Sequence, residues 1–372
     1  MKIGIDARFF GPVGKGLGRY VERLIENLEK IDSKNEYIIF LRKENWGYYN
    51  PKVSNFKKVL ADYPWYSLVE QIMMPIAIWR NKIDLMHFPH FNIPIFCPTK
   101  FVVTIHDLIL LQFPTPRATT LGPLLYKIKY LGYQLVIGQG LRRAVKILTV
   151  SECTKKELVK FFKISPEKIV ITHEACDGVE YGQLGMPEKS ILKKFGVTKP
   201  YLLYVGNAYP HKNLEGLIKV FEKINLEYQL VLVGREDYFY KRLKQETDKS
   251  KVKDKIIFTD FVSEKELADL YRNARVYVFP SFVEGFGLPG LEAMSYGLPV
   301  AASNSSCLPE IYGQAAVYFD PKNLEDMAEK IKKALFDENL RQKLIIMGFE
   351  QIKKYSWQKC AEQTLAVYNN CA

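Results

Sequence analysis

The 372-residue chain has no apolar stretch approaching the ~18 residues that a membrane-spanning helix needs. Apolar stretches such as Phe101–Ile105 and Ile109–Leu111 are short, broken around His106-Asp107. At the N-terminus, Asp6 and Arg8 stand where an export signal requires unbroken apolar residues, so the expected compartment is the cytoplasm. The six cysteines (Cys97, Cys153, Cys176, Cys307, Cys360, Cys371) form no CxxC and no zinc-like spacing, and thiols are expected rather than disulfides. Of the five histidines, His87 and His90 are nearest in sequence, but Pro89 between them prevents a shared helical face; a structural role is expected for both. No Pro/Gly/Ser tract or charge run occurs, which excludes disordered and fibrous classes. What remains is an ordinary globular balance, 48% apolar and 25% charged, at a length suited to two domains.

Acidic residues are also short, 41 against 53 Lys and Arg, for a net charge of +12. The excess is concentrated in the first half of the chain. Arg117 to Lys146 carries six bases (Arg117, Lys127, Lys129, Arg142, Arg143, Lys146) and no acid, among Leu, Ile and Tyr. Such a stretch suits an anionic surface, whether lipid headgroups, nucleic acid or a phosphorylated substrate; it equally suits the solvated face of a core-packed helix.

Short β-branched or aromatic runs alternate with helix-period segments along the whole chain, the pattern of parallel sheets built from βαβ units. Strands are expected at 2–6, 37–41, 84–88, 101–105, 147–150 and 169–172, then at 201–205, 229–233, 256–259, 276–279, 300–303 and 316–319. The Gly- and Pro-bearing stretch from Cys176 to Pro200 is the expected connection, giving an N-terminal domain over 1–180 and a C-terminal one over 190–356. A last helix, Trp357 to Tyr368 within 357–372, could pack on either. Each half opens with a strand, a Gly-bearing turn and an amphipathic helix; in the first helix Tyr20, Val21, Leu24, Ile25, Leu28 and Ile31 share one stripe. The expected fold class is α/β, with two Rossmann-like, doubly wound parallel-sheet domains facing across a cleft. Ligands of such sheets bind beyond the carboxyl ends of the strands, which predicts a site in that cleft.

The segment from Phe279 to Ile311 is the most informative. A buried strand is expected to end near Pro280, a Gly285-Phe286-Gly287 turn follows, and Pro289 marks a first helical position. This aims a helix N-terminus, with free N–H groups and the positive end of its dipole, at the strand ends, as a diphosphate requires. Glu284 precedes the turn and Glu292 lies about one turn into the helix. Carboxylates beside a phosphate need another polar partner, such as sugar or ribose hydroxyls.

The E-x7-E pattern of Glu284 and Glu292 across GFGLPGL, with AMSYGLPV and LPE after it, resembles the donor-binding region of the group 1 retaining glycosyltransferases of GT-B fold, nearest the bacterial mannosyltransferase-like members of polysaccharide and O-antigen assembly. IGIDAR…GLGRYV, VTIHDL, LTVSECTKKEL and VGNAYPHKN extend the resemblance over nearly the whole chain. The resemblance implies an acceptor-binding first domain and a second domain that binds the nucleotide-sugar donor, expected to be GDP-mannose, with no cofactor. By position, Glu284 meets the transferred sugar, the Gly285, Phe286, Gly287 and Leu288 backbone lies along sugar and phosphate, and Glu292 holds the ribose. Lys212 neutralises the diphosphate, His211 stands where many relatives have Arg, and Asn207 follows the Gly206 turn. Arg19 or another base would complete the charge. Gly16 belongs to a loop beneath the donor phosphates, His106 sits beside the sugar, and the nucleotide base lies near Phe261-Val262. Ser151 and Thr154 are expected to cap a helix.

The same resemblance implies retention of anomeric configuration without a metal, and the sequence contains no D-x-D. The implied acceptor is a glycan or polyprenyl-diphosphate-linked chain at the inner membrane face, with the 117–146 stretch on the anionic surface. An epimerase of the same fold and a non-enzymatic nucleic-acid binder are the alternatives, although no nucleic-acid module is present. An NAD-type oxidoreductase is disfavoured, because Gly14-Lys15-Gly16-Leu17-Gly18 lacks the GxGxxG spacing and Leu41-Arg42-Lys43 supplies no acid after the second strand.

Overall fold

The computed structural model describes the chain except residues 116, 118–121, 178–188 and 372; for 123–126, 128–129 and 189–190 it describes the backbone alone. The chain forms two compact units, one of residues 1–108, 119–174 and 356–372, the other of 109–118 and 175–355. The expected limits at 180 and 190 fall on or beside residues 178–188, outside the described residues.

The first unit holds β1 (Lys2–Asp6), β2 (Glu36–Leu41), β3 (Phe56–Leu60), β4 (Leu85–Phe88), β5 (Lys100–Ile105), β6 (Lys146–Thr149) and β7 (Ile169–Ile171), all parallel in the order β3-β2-β1-β4-β5-β6-β7. Strand order reverses between β1 and β4, so the switch point lies at their carboxyl ends. Strand β3, FKKVL, is not visible in the hydrophobic pattern because Lys57 and Lys58 interrupt it. It is an edge strand, where lysines discourage pairing with other chains, and the Lys58 ammonium donates to the Trp46 and Tyr49 carbonyls.

Five helices accompany these strands: α1 (Lys15–Ile31), α2 (Leu68–Arg80), the short α3 (Ile109–Gln112, in the second unit), α4 (Pro123–Arg143) and α5 (Glu152–Phe162). Helix α1 buries Tyr20, Val21, Leu24, Ile25 and Leu28 of the predicted stripe, whereas Ile31, its last residue, is only partly buried. Ser151 caps α5, its Oγ accepting from the Thr154 N–H at 3.1 Å.

The second unit contains β8 (Tyr201–Val205), β9 (Gln229–Val233), β10 (Ile256–Asp260), β11 (Val276–Phe279), β12 (Val300–Ser303) and β13 (Ala316–Phe319), parallel in the order β10-β9-β8-β11-β12-β13. Its switch point lies between β8 and β11. Helices α6 (Lys189–Lys194), α7 (Leu214–Ile224), α8 (Tyr238–Thr247), α9 (Glu264–Asn273), α10 (Leu288–Ser295), α11 (Leu308–Tyr312), α12 (Leu324–Phe336) and α13 (Glu338–Ile352) complete it.

The last helix, α14 (Trp357–Asn370), returns to the first unit and packs on α1. Its buried stripe of Trp357, Cys360, Ala361, Thr364, Val367 and Tyr368 repeats every three to four residues. The Tyr368 hydroxyl lies 2.6 Å from His87 Nδ1, and His87 Nε2 lies 2.8 Å from Thr104 Oγ1, so a buried histidine joins α14 to β4 and β5. Burial holds the His87 imidazole neutral, its pKa pushed down to about 3. Among the described residues no disulfide joins any cysteines and no helix is long and apolar enough to cross a membrane.

Candidate active site

In the second unit, two loops emerge from the switch point. One follows β8 and contains Gly206, Asn207, His211 and Lys212; the other follows β11 and contains Glu284 to Gly287. Backbone and side-chain bonds hold them together. The Phe282 N–H donates to the His211 carbonyl at 2.8 Å, and the Asn213 amide donates to the Pro280 carbonyl at 3.2 Å. The Lys212 ammonium then reaches Glu284 Oε1 at 2.6 Å and lies 5.7 Å from the centre of the Phe279 ring. Both side chains are mostly withdrawn from water, where their charges are screened less than on an open surface. An ammonium has three protons to donate and Glu284 accepts one.

His211 is buried and neutral. Burial lowers its pKa to about 4, with the Lys212 charge adding to the effect, so at pH 7 it contributes a ring, stacked on Tyr209, rather than the standing charge of an arginine. Asn207 accepts the Tyr204 hydroxyl proton on its carbonyl at 2.8 Å, which holds the turn after Gly206.

The Glu284–Gly287 turn is held from the α11 side. Ser306, whose backbone is left-handed with φ 53°, accepts the Glu284 N–H at 2.9 Å; the Cys307 thiol faces the Glu284 and Phe286 carbonyls; and the Tyr312 hydroxyl donates to the Gly287 carbonyl at 2.6 Å. Gly287 has φ 106°, and a Cβ at Gly290 would come within 2.3 Å of the Tyr312 hydroxyl, so this helix start admits no side chain at either position. Helix α10 begins at Leu288 without a side-chain cap, one residue earlier than Pro289 predicts. Glu292 is half-buried, its carboxylate accepting from the Tyr271 hydroxyl at 3.1 Å. Val262 lies past β10, two strands from β8 and therefore roughly 10 Å across the sheet.

In the first unit, the residues expected as a Gly-bearing loop form the start of α1, with Gly14 at its N-cap and Gly16 and Gly18 in its first turn, and this start is packed from beneath. A Cβ at Gly14 or Gly18 would lie 2.0 Å from a backbone carbonyl, of Phe9 or Gly11 respectively, whereas a Cβ at Gly16 would meet nothing within 4 Å. Packing explains the outer two glycines and leaves the middle one open to an approaching ligand. His106 follows β5, its Nδ1 2.8 Å from Glu174 Oε1 and its Nε2 2.9 Å from the Pro89 carbonyl. Both partners accept, so both nitrogens carry protons in this arrangement. Burial opposes that charge, but the Glu174 hydrogen bond and carboxylate overcome it and raise the pKa. Among the described residues no cluster of three or more His, Cys, Asp or Glu could hold a metal ion.

Two family descriptions cover most of the chain, Glycosyltransferase Family 4 over residues 14–177 and Glycosyl transferases group 1 over 188–351. The chain belongs to the group 1 glycosyltransferases. Its architecture is GT-B. The chain is 29% identical to O-antigen chain mannosyltransferase B of Escherichia coli over 95% of each chain, and 28% identical to O-antigen chain mannosyltransferase RfbU of Salmonella typhimurium over 76% of each. The crystal structure of Anabaena HepE in complex with UDP-glucose superposes with a TM-score of 0.74 over 100% of each chain, at 14% identity.

For a group 1 glycosyltransferase, several features at these positions lie outside the sequence pattern. Ser306, Cys307, Tyr312 and Tyr271 shape the Glu284–Glu292 segment, and LPE, which follows Cys307, was the one local signal. Glu174 sets the charge of His106 from 68 residues away. In the first unit, Arg8 is fully buried and donates to Asp6 Oδ1 at 2.7 Å and Oδ2 at 2.6 Å and also to Glu70, while burial raises the Glu70 pKa. The Asn45 amide meanwhile donates to the Ala7, Arg8 and Phe10 carbonyls. These groups give the turn leading to the glycosyltransferase's Gly16 a fixed floor.

Of the six bases in 117–146, the glycosyltransferase uses Arg117 to pair with Glu215, Arg143 to hold the Cys97 carbonyl at 3.2 Å and Lys146 to hold the Glu167 carbonyl at 2.8 Å. Lys127 and Arg142 are exposed. The Lys129 side chain lies outside the described residues.

Proposed function

We propose that this glycosyltransferase moves mannose, with retention, from GDP-mannose to a glycan or polyprenyl-diphosphate-linked acceptor during cell-surface polysaccharide synthesis. The carrying observation is the Lys212–Glu284 pair at the carboxyl ends of β8 and β11, next to the uncapped start of α10. Cleavage of the glycosyl–diphosphate bond builds negative charge on the leaving group. The Lys212 ammonium, turning from Glu284 to the phosphate, and the α10 N-terminus stabilise that charge, a task a metal performs elsewhere. Glu284, freed as Lys212 turns to phosphate, accepts sugar hydroxyls; Glu292 accepts those of the ribose; the leaving diphosphate takes the acceptor proton on the same face.

Gly285, Phe286, Gly287 and Leu288 supply backbone contacts, with Gly206, Asn207 and His211 along the opposite loop and Val262 near the base. Gly16, where packing demands no glycine, lets the donor phosphates approach, and His106 offers positive charge to the sugar by exchanging one of its two bonds. The relatives that act as O-antigen mannosyltransferases support the choice of mannose, and the UDP-glucose complex of a protein with the same fold supports a nucleotide-sugar donor. The exposed bases of the 117–146 stretch, Lys127 and Arg142, favour a place at the cytoplasmic face of an anionic membrane.

The test is a thermal-shift panel of GDP, UDP, dTDP and ADP, followed by transfer assays with the matching sugar nucleotides in EDTA. GDP is expected to raise the melting temperature most, and transfer from GDP-mannose is expected to persist in EDTA. Stabilisation by another nucleotide alone would remove GDP-mannose, and loss of transfer in EDTA would remove the metal-free mechanism.

A further inference from the structure

A surface helix of a sheet protein ordinarily turns its apolar side inward and its polar side to water. Helix α2 carries apolar residues on both. It buries Met74, Ala77 and Ile78 together with Glu70, whose carboxylate is occupied by Arg8 and Asn92. Its outer face presents Leu68, Ile72 and Trp79 at steps of four and seven residues, with Leu68 83% and Trp79 71% exposed. No charged residue occurs from Gln71 to Trp79.

Neighbouring elements extend this surface. The Ile95 N–H donates to Gln71 Oε1 at 2.8 Å, bringing to the edge of α2 a loop tip on which Phe96 is 77% exposed. Arg143, at the end of α4, donates to the Ile95 and Cys97 carbonyls, and a Cβ at Gly140 would lie 2.5 Å from Ile93. Helix α4 in turn exposes Lys127, Leu131, Leu135 and Arg142, which recur at helical spacing.

Charge decides what can cover such a surface. Residues 68–151, which contain both helices and the loop, hold nine Lys and Arg against three acids, Asp84, Asp107 and the buried Glu70. A second copy would set cations against cations. An anionic bilayer offers phosphates to the bases and hydrocarbon to the rings and aliphatic chains.

We propose that α2, the Ile95–Phe96 tip and α4 form a lipid-docking surface, in which Leu68, Ile72, Trp79 and Phe96 insert below the headgroups and Arg80, Lys127 and Arg142 lie at phosphate level. The choice of a bilayer rests on the lipid-carried acceptor proposed above. The inserted residues differ from the basic stretch, and they make part of the binding independent of charge.

The experiment uses the full chain with phosphatidylcholine vesicles, with and without phosphatidylglycerol, in low and high salt. Anionic vesicles are expected to sediment the protein, with a fraction still bound in high salt. Brominated acyl chains are expected to quench tryptophan emission, and Trp79→Phe to abolish most of that quenching. Ile72→Ser and Phe96→Ser should each weaken the salt-resistant binding by about tenfold. Complete release by salt, or no quenching, overturns insertion; a dimer in light scattering that Ile72→Ser dissociates assigns the surface to a second copy and equally overturns it.

Transfer to a water-soluble acceptor separates this proposal from the catalytic one. The surface variants should retain wild-type transfer. Transfer without quenching would sink the docking surface alone, and quenching without transfer would sink the transferase reading, leaving the insertion measured but its link to a lipid-carried acceptor without support.

Discussion

Lys212 and Glu284 act as a pair, and their variants should show it. Removing either partner leaves the other charge largely buried without its counter-ion and removes a contact to the proposed donor. Lys212→Ala and Glu284→Ala are each expected to lower kcat by two orders of magnitude or more, and the double variant by far less than the product of the two. Steady-state kinetics of the three proteins checks this; fully multiplicative losses would mean independent roles. Glu292→Ala, whose carboxylate rests on Tyr271, is expected mainly to raise KM for the nucleotide sugar. His87 gives a residue-scale prediction in pH. Its folded pKa, about 3, lies below the unfolded value near 6.5, so the unfolded chain binds the extra proton and stability falls as pH drops below 6.5. Between pH 7 and 5 the cost is about 2 kcal/mol, and His87→Gln should flatten the urea-midpoint profile over that interval. His106 has the opposite sign: its raised pKa stabilises the fold at low pH, and that contribution disappears as pH rises through the folded value.

At the scale of the element, the two glycine-bearing turns answer to different constraints. At the start of α1, Gly14→Ala and Gly18→Ala drive a methyl into a backbone carbonyl that cannot move freely, and each is expected to cost roughly 1–3 kcal/mol or more. Gly16→Ala meets no atom, so the melting temperature should hold while transfer falls. Equal activity of Gly16→Ala and wild type would place the donor elsewhere. At the start of α10 the obstacle is the Tyr312 ring. Gly290→Ala should therefore destabilise the second unit, and Tyr312→Val, which clears the space, should recover part of that loss in a double-mutant cycle followed by denaturant unfolding. The GFGLPG segment and the α11 residues beneath it thus behave as one packed unit, although the sequence presents them as two motifs.

Across the whole molecule, the chain's end matters to its beginning. Helix α14 lies on α1, and Tyr368 meets a histidine 281 residues earlier. Deleting 357–372 would expose the Tyr20 side of α1 and leave His87 with an unmade bond in a dry interior. The truncated protein is expected to lose cooperative unfolding of the first unit in calorimetry, while Trp357→Ala alone should cost about 3–5 kcal/mol.

Twelve of the thirteen strands among the described residues were legible in advance because parallel strands buried on both faces are nearly continuous apolar runs. The exception, β3, is an edge strand whose lysines mask the pattern. The residues for donor chemistry were legible because Glu284, Glu292, Lys212 and the glycines sit in short local motifs at strand ends. Their supports were not: Ser306, Tyr312, Tyr271 and Glu174 are common residue types with no local pattern, and they gain their roles when distant loops meet.

The amino-acid order alone determined the two βαβ-wound halves, the cationic first half and the short motifs, because periodicity and backbone chemistry act over a few residues. Only the tertiary structure decided that His211 is neutral, that Glu174 raises the pKa of His106, that Gly16, unlike Gly14 and Gly18, faces open space, and that α2 leaves an apolar face in water. Protonation, free volume and exposure depend on what the fold brings within a few ångströms, and residues far apart in the chain supply it.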